Sequence, residues 1–457
     1  MLIKDFRRLA LILGPVVLIS IISIGLWQAQ SEFLLDQYNQ LRGKPPPPEP
    51  KKEEQQSSNL GSQNRPNPLP PTSTWNEIFS VSNPNKTFFE IRFGDVPVFN
   101  PNILPHPTED DTWIIMGQKW VSHDDIAVGL IAYEVGCKAK FIEHELRCIE
   151  TPEPFPIEPT AGGKCEGKWE ILNLNVGPHD ARAFYGPDKP YTIYGSNSQL
   201  LCFGQWIQDF RPLVPSAWPG LSSDSSSEEE DKTFLRGTEL QRPPPTHPIE
   251  KNYFAFWNDK NEMHAHYDMF PQRSFARVNE DGTAKPNLAP FSRDVDEKCL
   301  AKYIPSVDGL EFESIHQATN SLKITLCKRS DRSCRLREEE NTFIMTVVQH
   351  KSYYSFHSEY EPYVVLFRQS APYELYGISN KPLWISGRGR DEEQRRTDMM
   401  YVTSIAWKDK SQKYHAYLDD VMFLGFGVED KRAGGIDVLA GDLVGGIGLC
   451  EEEDEKV

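Results

Sequence analysis

An all-β fold is what the sequence predicts for the body of this 457-residue chain, and three observations predict it. From Trp75 onward, short apolar runs such as "TWIIMGQKW", "YTIYGSN", "YFAFWND", "NTFIMTVVQHK", "YVVLFRQS" and "MMYVTSIAW" are separated by Gly, Pro, Asn and Asp. Strands joined by tight turns leave that pattern. Aromatic residues make up 11% of the chain, with 10 Trp and 17 Tyr, which favours pleated, half-buried surfaces over a helical bundle. Helical periodicity is scarce: "SHDDIAVGLIAYEV" (122–135) fits one short helix or a strand equally well. Hairpin sheets of this kind close as a sandwich, a barrel or a propeller, and composition does not choose among them.

The elements before that body read differently. Residues 1–8 form a short tail with Lys4, Arg7 and Arg8, and Leu9–Trp27 then runs 19 residues without a charge. That length crosses a hydrocarbon core of about 30 Å as a helix. Downstream, Glu32 and Asp36 precede any basic residue, so the positive-inside rule keeps the tail in the cytosol and sends the remainder into a lumen. A cleaved signal peptide is the competing reading; the long apolar core and the lack of a clear small-x-small site argue against it. Residues 28–74 form a stem, Pro-rich from "GKPPPPEPKKEEQQSSNLGSQNRPNPLPPTS" (43–73) onward. It has no apolar periodicity with which to bury a core and should act as an extended, largely disordered spacer.

All eight cysteines lie beyond the stem, as expected in a disulfide-forming compartment. Cys137 with Cys148 and Cys327 with Cys334 are the local pairs expected, each flanking a hairpin; no spacing matches a zinc site. Asn85-Lys86-Thr87 is a glycosylation sequon just past the stem, consistent with a lumenal location. The formal net charge of -17 argues against a nucleic-acid partner, which basic faces recruit. Part of that acidity sits in "SSDSSSEEED" (222–231) and in the tail 451–457, both read as solvated. The region 217–248 is expected to be a disordered insert within a folded body spanning 75–450.

Five local patterns follow one another along that body: "VFNPNILPHPTEDDTWIIMG" (98–117), "GPHDARAFYGPDKPYTIYGSNS" (177–198), "EKNYFAFWNDKNEMHAHYDMFP" (250–271), "FHSEYEPYVVLF" (356–367) and a last stretch, 377–427, containing "HAYLDD". This series resembles the five-bladed β-propeller glycosidases and phosphorylases of glycoside hydrolase family 130, and the fungal β-mannosyltransferases of glycosyltransferase family 91. The resemblance covers roughly residues 90–450. It implies a five-bladed propeller in which sequence-distant polar residues converge on one central funnel. Asp180 and Glu361 would then be the catalytic carboxylates. Arg182, His264, His266, Tyr267, Asp268, His357, Tyr363, Asp419 and Asp420 would bind substrate, Arg182 as a planar fork for phosphate. Departures from the pattern are His179 and Ala181, where the family usually has Glu and Pro. "DVD" (294–296) matches the Asp-x-Asp of metal-dependent transferases, but so short a match arises often by chance, and no metal ligand set is expected.

Short tail, single span, Pro-rich stem and lumenal body are the arrangement of Golgi-type, type II glycosyltransferases. The resemblance implies transfer of mannose with a β-linkage from a nucleotide sugar, GDP-mannose, to a glycan acceptor in building a fungal cell wall, with no further cofactor expected. The alternatives are a sugar-binding propeller without chemistry, and a lumenal glycosidase or phosphorylase acting on β-mannosides.

Overall fold

The computed structural model describes residues 69–119, 131–219, 232–307, 310–317 and 319–451. The anchor expected at 9–27, the stem up to residue 68 and the acidic run 222–231 lie outside them. Among the described residues no helix is long and apolar enough to cross a membrane.

Strands dominate, as expected. After β1 (Asn76–Ile78) and β2 (Phe89–Arg92), a meander runs through β3 (Val98–Pro105), β4 (Trp113–Lys119), β5 (Glu134–Ile142) and β6 (Glu145–Cys148), with β7 (Glu153–Pro154) along β5. The next comprises β8 (His179–Tyr185), β9 (Pro190–Asn197), β10 (Phe203–Asp209) and β11 (Thr238–Leu240). A shorter one follows in β12 (Phe254–Trp257), β13 (Met263–Asp268) and β14 (Ser274–Arg277). Then β15 (Glu313–Gln317) and β16 (Leu322–Thr325) both line β17 (Thr342–Tyr354), which folds back through β18 (His357–Arg368) to β19 (Leu375–Ser379). Short strands β20 (Leu383–Ile385), β21 (Arg390–Asp391) and β22 (Arg396–Thr397) lead into β23 (Met400–Trp407). The chain continues as β24 (His415–Tyr417), β25 (Val421–Val428), β26 (Arg432–Leu439) and β27 (Ile447–Leu449), the last against β19.

The ends of the chain close on each other. β2 pairs antiparallel with β26 and parallel with β6, so an early strand completes a late meander and joins it to the first one. The resulting nine-stranded sheet nearly closes, because Thr403 and Ser404 of β23 donate to the Pro101 carbonyl of β3 at its other end. The arrangement is all-β and propeller-like.

Strands from different meanders meet near the centre at angles that leave backbone groups unpaired, and buried side-chain amides pair them instead. Asn102 donates to the Ala181 carbonyl and accepts from the Ala183 amide; Asn320 does the same for Ile405, and Gln349 for Val402. Each such bond contributes about 1 kcal/mol net, but leaving its backbone partners buried and unpaired costs about 1–3 kcal/mol each.

Several local expectations meet the structure here. The two local disulfides form as expected, and Cys165–Cys202 and Cys299–Cys450 complete the set. Glu134 and Val135, from the stretch that fitted helix or strand, open β5. The insert expected to be disordered at 217–248 is ordered from residue 232: Phe234 and Leu240 enter the main core and β11 pairs with β10. The stem's last residues are also packed, with Leu69 buried and Pro70 accepting from Arg390. "DVD" lies in the helix Arg293–Tyr303, where buried Asp296 pairs with Arg273 at 2.9 Å and accepts from Ser292 and from the Leu375 amide. That carboxylate has its oxygens engaged by the fold.

Candidate functional site

Inner strands β3, β8 and β23 each break register near their first residues, at Phe99/Asn102, His179/Arg182 and Val402/Ser404. Such bulges re-aim side chains and interrupt pairing. Asn100 and Asp180 sit inside two of them with φ of 52° and 49°, the left-handed region that Asn and Asp tolerate better than other non-glycine residues. Asn100 Nδ2 donates to Asp180 Oδ1 at 3.0 Å, and the Asp180 amide donates to Gln118. The Asp180 side chain is exposed at this end of the inner strands.

Around Asp180 three buried polar atoms have no hydrogen-bond partner among the described residues: Asn100 Oδ1, Glu134 Oε2 and His179 Nε2. Glu134 is 1% exposed and uses its other oxygen to accept from the Ala181 amide. Burial raises its pKa well above the ordinary value and the nearby Asp180 charge adds to the rise, against the opposing Ala181 bond. Burial also lowers the His179 pKa, with Asp180 opposing. Buried polar atoms are nearly always satisfied, so this cluster marks a place built to meet something polar.

The opposite wall comes from the β17–β18 hairpin and β23. Tyr360 and Tyr401 contact each other with ring centroids 4.7 Å apart, and Lys351 Nζ lies 5.7 Å from the Tyr360 ring centre. Arg182 is 5% exposed, donates to Asn252 Oδ1 at 2.7 Å and to the Tyr253 carbonyl, and is hydrogen-bonded to Tyr401. Burial lowers the Lys351 pKa and nearby Lys251 lowers it further, with Asp430 opposing. Asp430 is raised by the surrounding protein, then by Asp180 and Glu429. His316 is lowered to about 4 by burial and by Lys351 and Lys251. Lys351 and Lys251 on one hand and Asp180 and Asp430 on the other thus bring both signs of charge to this mouth beside the Tyr360 and Tyr401 rings.

Of the residues expected to converge, Asp180 and Arg182 lie at this end of the inner strands, Asp180 exposed and Arg182 buried, and the other candidates lie elsewhere. Arg182 is a partial correction as well, since it is buried and bonds Asn252, the Tyr253 carbonyl and Tyr401. Glu361 lies on the opposite face of the hairpin from Tyr360, because directly paired Lys351 and Tyr360 share one face while His350 and Glu361 share the other. There it accepts from Trp75 Nε1 at 2.9 Å and contacts His350, whose other nitrogen meets Glu313 at 2.8 Å. Burial disfavours a charged His350, yet the two glutamates outweigh it and raise its pKa to about 9. Tyr363, two residues on, is buried in the main core.

The histidines of β13 are core residues. His266 stacks on Phe254 and Phe275, bonds Gln317 and accepts from Arg273; His264 stacks on Phe256 and bonds the Glu262 carbonyl. Burial holds His266 far below its ordinary pKa and lowers His264 to about 4. Tyr267 is buried against Tyr253, and Asp268 pairs with Arg242 at 2.5 Å. His357 bonds the Thr397 carbonyl on the outer side of the hairpin.

Asp419 and Asp420 lie at the opposite end of the inner strands. β23 runs from Met400, beside Tyr401 at the bulged end, to Trp407, and the next residue, Lys408, lines a cleft of about 520 Å³ with Asp419, Asp420, Asp110 and Asp111. Seven residues of strand separate the two ends, roughly 20 Å. Asp419 accepts from the Arg329 and Ser330 amides at 2.6 and 2.9 Å; Asp420 accepts from Arg329, Gln412 and the Tyr417 amide. Burial would raise Asp419, but these backbone donors outweigh it and bring its pKa to about 2. The pair ties the Cys327–Cys334 loop to the end of β24.

Asn100, Glu134, Lys351, Tyr360 and Tyr401 were not among the residues expected at the site. "VFNPN" and "HSEYEPY" carry two of them, Asn100 and Tyr360, within stretches already singled out, but neither the bulge nor the side of the hairpin is encoded in those short patterns.

No protein-family model matches the chain, and no curated protein matches it. Solved structures that resemble it include β-1,2-mannobiose phosphorylase from Listeria innocua, at 10% identity and a TM-score of 0.41 over 80% of this chain and 96% of that one. A member of the GH130 family of mannoside phosphorylases, described with hydrolases that target β-1,2 mannosidic linkages in Candida mannan, resembles it at 11% identity and a TM-score of 0.36, over 82% and 96%. The GDP-Man-dependent mannosyltransferase MPT-1 of Leishmania mexicana does so at 9% identity and a TM-score of 0.36, over 77% and 89%. At such identities and scores, function has to be argued from this chain's own side chains.

Proposed function

We propose that this chain is a carbohydrate-active enzyme built on a five-bladed propeller: a membrane-anchored, lumenal glycosyltransferase of type II topology in the Golgi. It would transfer mannose from a nucleotide sugar, GDP-mannose in the first instance, to a glycan acceptor with a β-linkage. The blades are read as the meanders starting at β3, β8, β12, β15 and β23. The observation that carries the proposal is the mouth formed at the bulged strand ends. An exposed carboxylate, Asp180, stands among buried polar atoms that have no partner among the described residues, near Tyr360, Tyr401 and Lys351.

In the proposed step, an acceptor hydroxyl attacks the anomeric carbon of the donor, forming the new C–O bond as the bond to the phosphate oxygen breaks. Asp180 takes the hydroxyl proton as general base. The electron pair leaves with the nucleoside diphosphate, whose charge Lys251 offsets. Asn100 holds Asp180 in orientation, and Arg182 holds Tyr401. Glu361 has no part, since its oxygens serve Trp75 and His350. The anchor and orientation rest on Leu9–Trp27 and its basic flank; a C-terminal tag protected from protease in sealed microsomes tests them, and digestion without detergent would overturn them.

A phosphorylase would use the same lysine for inorganic phosphate, which keeps that reading in play. The deciding experiment supplies the full-length protein with a panel of nucleotide sugars and mannoside acceptors, and separately with β-mannosides plus phosphate. Transfer from one donor supports the proposal. Phosphorolysis alone would replace it, and sugar binding with no turnover would make the chain a binding propeller.

A further inference from the structure

The β17–β18 hairpin continues past the mouth, in register to Tyr354 opposite His357, and turns through Ser355 and Phe356. Both turn residues have positive φ, 52° and 59°, a shape that suits Asn-Gly and costs a bulky residue backbone strain. Glu143–His144 and Glu429–Asp430 show the same pair of positive φ values with polar side chains. Among the described residues, only the hairpin tip places a phenyl ring in such a pair, and Phe356 is 68% exposed. Neither core packing nor turn chemistry accounts for it.

The side of the hairpin that faces Tyr401 carries further rings in line. Lys351 lies opposite Tyr360 and Tyr353 opposite Ser358, so these four share that face. Lys351 Nζ is 5.7 Å from the Tyr360 ring centre and 5.9 Å from that of Tyr353. Tyr401, Tyr360 and Tyr353 therefore climb from the mouth towards the tip with a cation between the last two, and exposed Phe356 stands in the turn beyond them. From Tyr360 to the turn at Phe356 is four residues along the chain, roughly 13 Å, the length of two to three pyranose units. Rings so placed, half apolar and flanked by hydroxyls, stack on the C–H face of a sugar while its hydroxyls stay wet.

We propose that this hairpin face is an acceptor track that binds successive units of an oligosaccharide extending out of the mouth. The inference rests on the carbohydrate-active reading above and specifies its acceptor as a chain of three or more sugars. It is tested by calorimetric titration of the full-length protein with manno-oligosaccharides of one to five units, without donor. Affinity should rise with length up to three or four units and then level off. Phe356→Ala and Tyr353→Ala should each weaken tetraose binding about tenfold and leave the disaccharide unchanged, with melting temperature as the check on folding. Equal affinity for all lengths, or full length dependence in both variants, overturns the track. Failure of every donor in the turnover panel, with length-dependent binding intact, would remove the transferase reading and leave the track standing.

Discussion

The two ends of the inner strands both present carboxylates, and they treat them in opposite ways. At one end Asp419 and Asp420 are saturated: backbone amides of Arg329, Ser330 and Tyr417 and the side chains of Arg329 and Gln412 use their oxygens, and the Asp419 pKa falls to about 2. At the other end Asp180 accepts from Asn100 and stands exposed beside buried atoms with no partner among the described residues. A carboxylate that the fold has satisfied is a structural clamp, while one the fold leaves partly unmet keeps lone pairs for a ligand. Acidity at a strand end therefore says little about function until its hydrogen bonds have been counted.

The sharpest way to break this comparison is Asp180→Asn. The site is exposed and Asn tolerates the left-handed backbone, so the fold should persist while transfer falls by about 10²–10⁴-fold, as for loss of a general base. Turnover measured on the folded variant decides it, and a variant within a few-fold of wild type would remove Asp180 from the chemistry. Glu361→Gln should leave turnover within a few-fold, since that residue is assigned to the outer face.

Next in size is the clamp on the outer face of the hairpin. His350 has its folded pKa raised to about 9 between Glu313 and Glu361. Its contribution to stability is then complete below the unfolded value of about 6.5 and disappears as pH rises through 9, at most about 3 kcal/mol. Denaturant unfolding at pH 6 and pH 10 should show that loss in wild type, and His350→Gln should flatten the difference. An unchanged slope in the variant would show that His350 is not the titrating group.

The double variant Asp419→Asn, Asp420→Asn sharpens the same contrast from the other side. It should lose about 2 kcal/mol of stability through weakened charge-assisted hydrogen bonds and retain full turnover and acceptor affinity. For Asp419 the stabilisation is present above pH of about 4 and lost as pH falls towards 2. A drop in turnover without a drop in melting temperature would return the pair to the site. The smallest effect is expected at the hairpin tip: Phe356→Gly removes the left-handed strain and should raise stability by about 1 kcal/mol, even as it weakens long acceptors. A destabilised Phe356→Gly would mean that the ring packs against something the fold needs.

Local order was legible in the chain itself. Alternating apolar runs and turn residues specify strands, and close cysteine spacing specifies Cys137–Cys148 and Cys327–Cys334, because both depend on neighbours a few residues away. In "HDAR" an acid and a base two residues apart point together only if the strand is regular, and the bulge between His179 and Arg182 is what separates exposed Asp180 from buried Arg182. At that bulge β8 meets β3 through Asn100 and Asn102. Tertiary structure alone decided which strand end faces which way. A meander reverses direction at every turn, so Asp419–Asp420 and Asp180 fall about 20 Å apart although both sit at strand ends. It also decided that "MHAHYD" turns its histidines into an aromatic core, and that the single-residue alternation of β18 gives Tyr360 to the mouth and Glu361 to the packed outer face. A shift of one residue in that register would exchange the two.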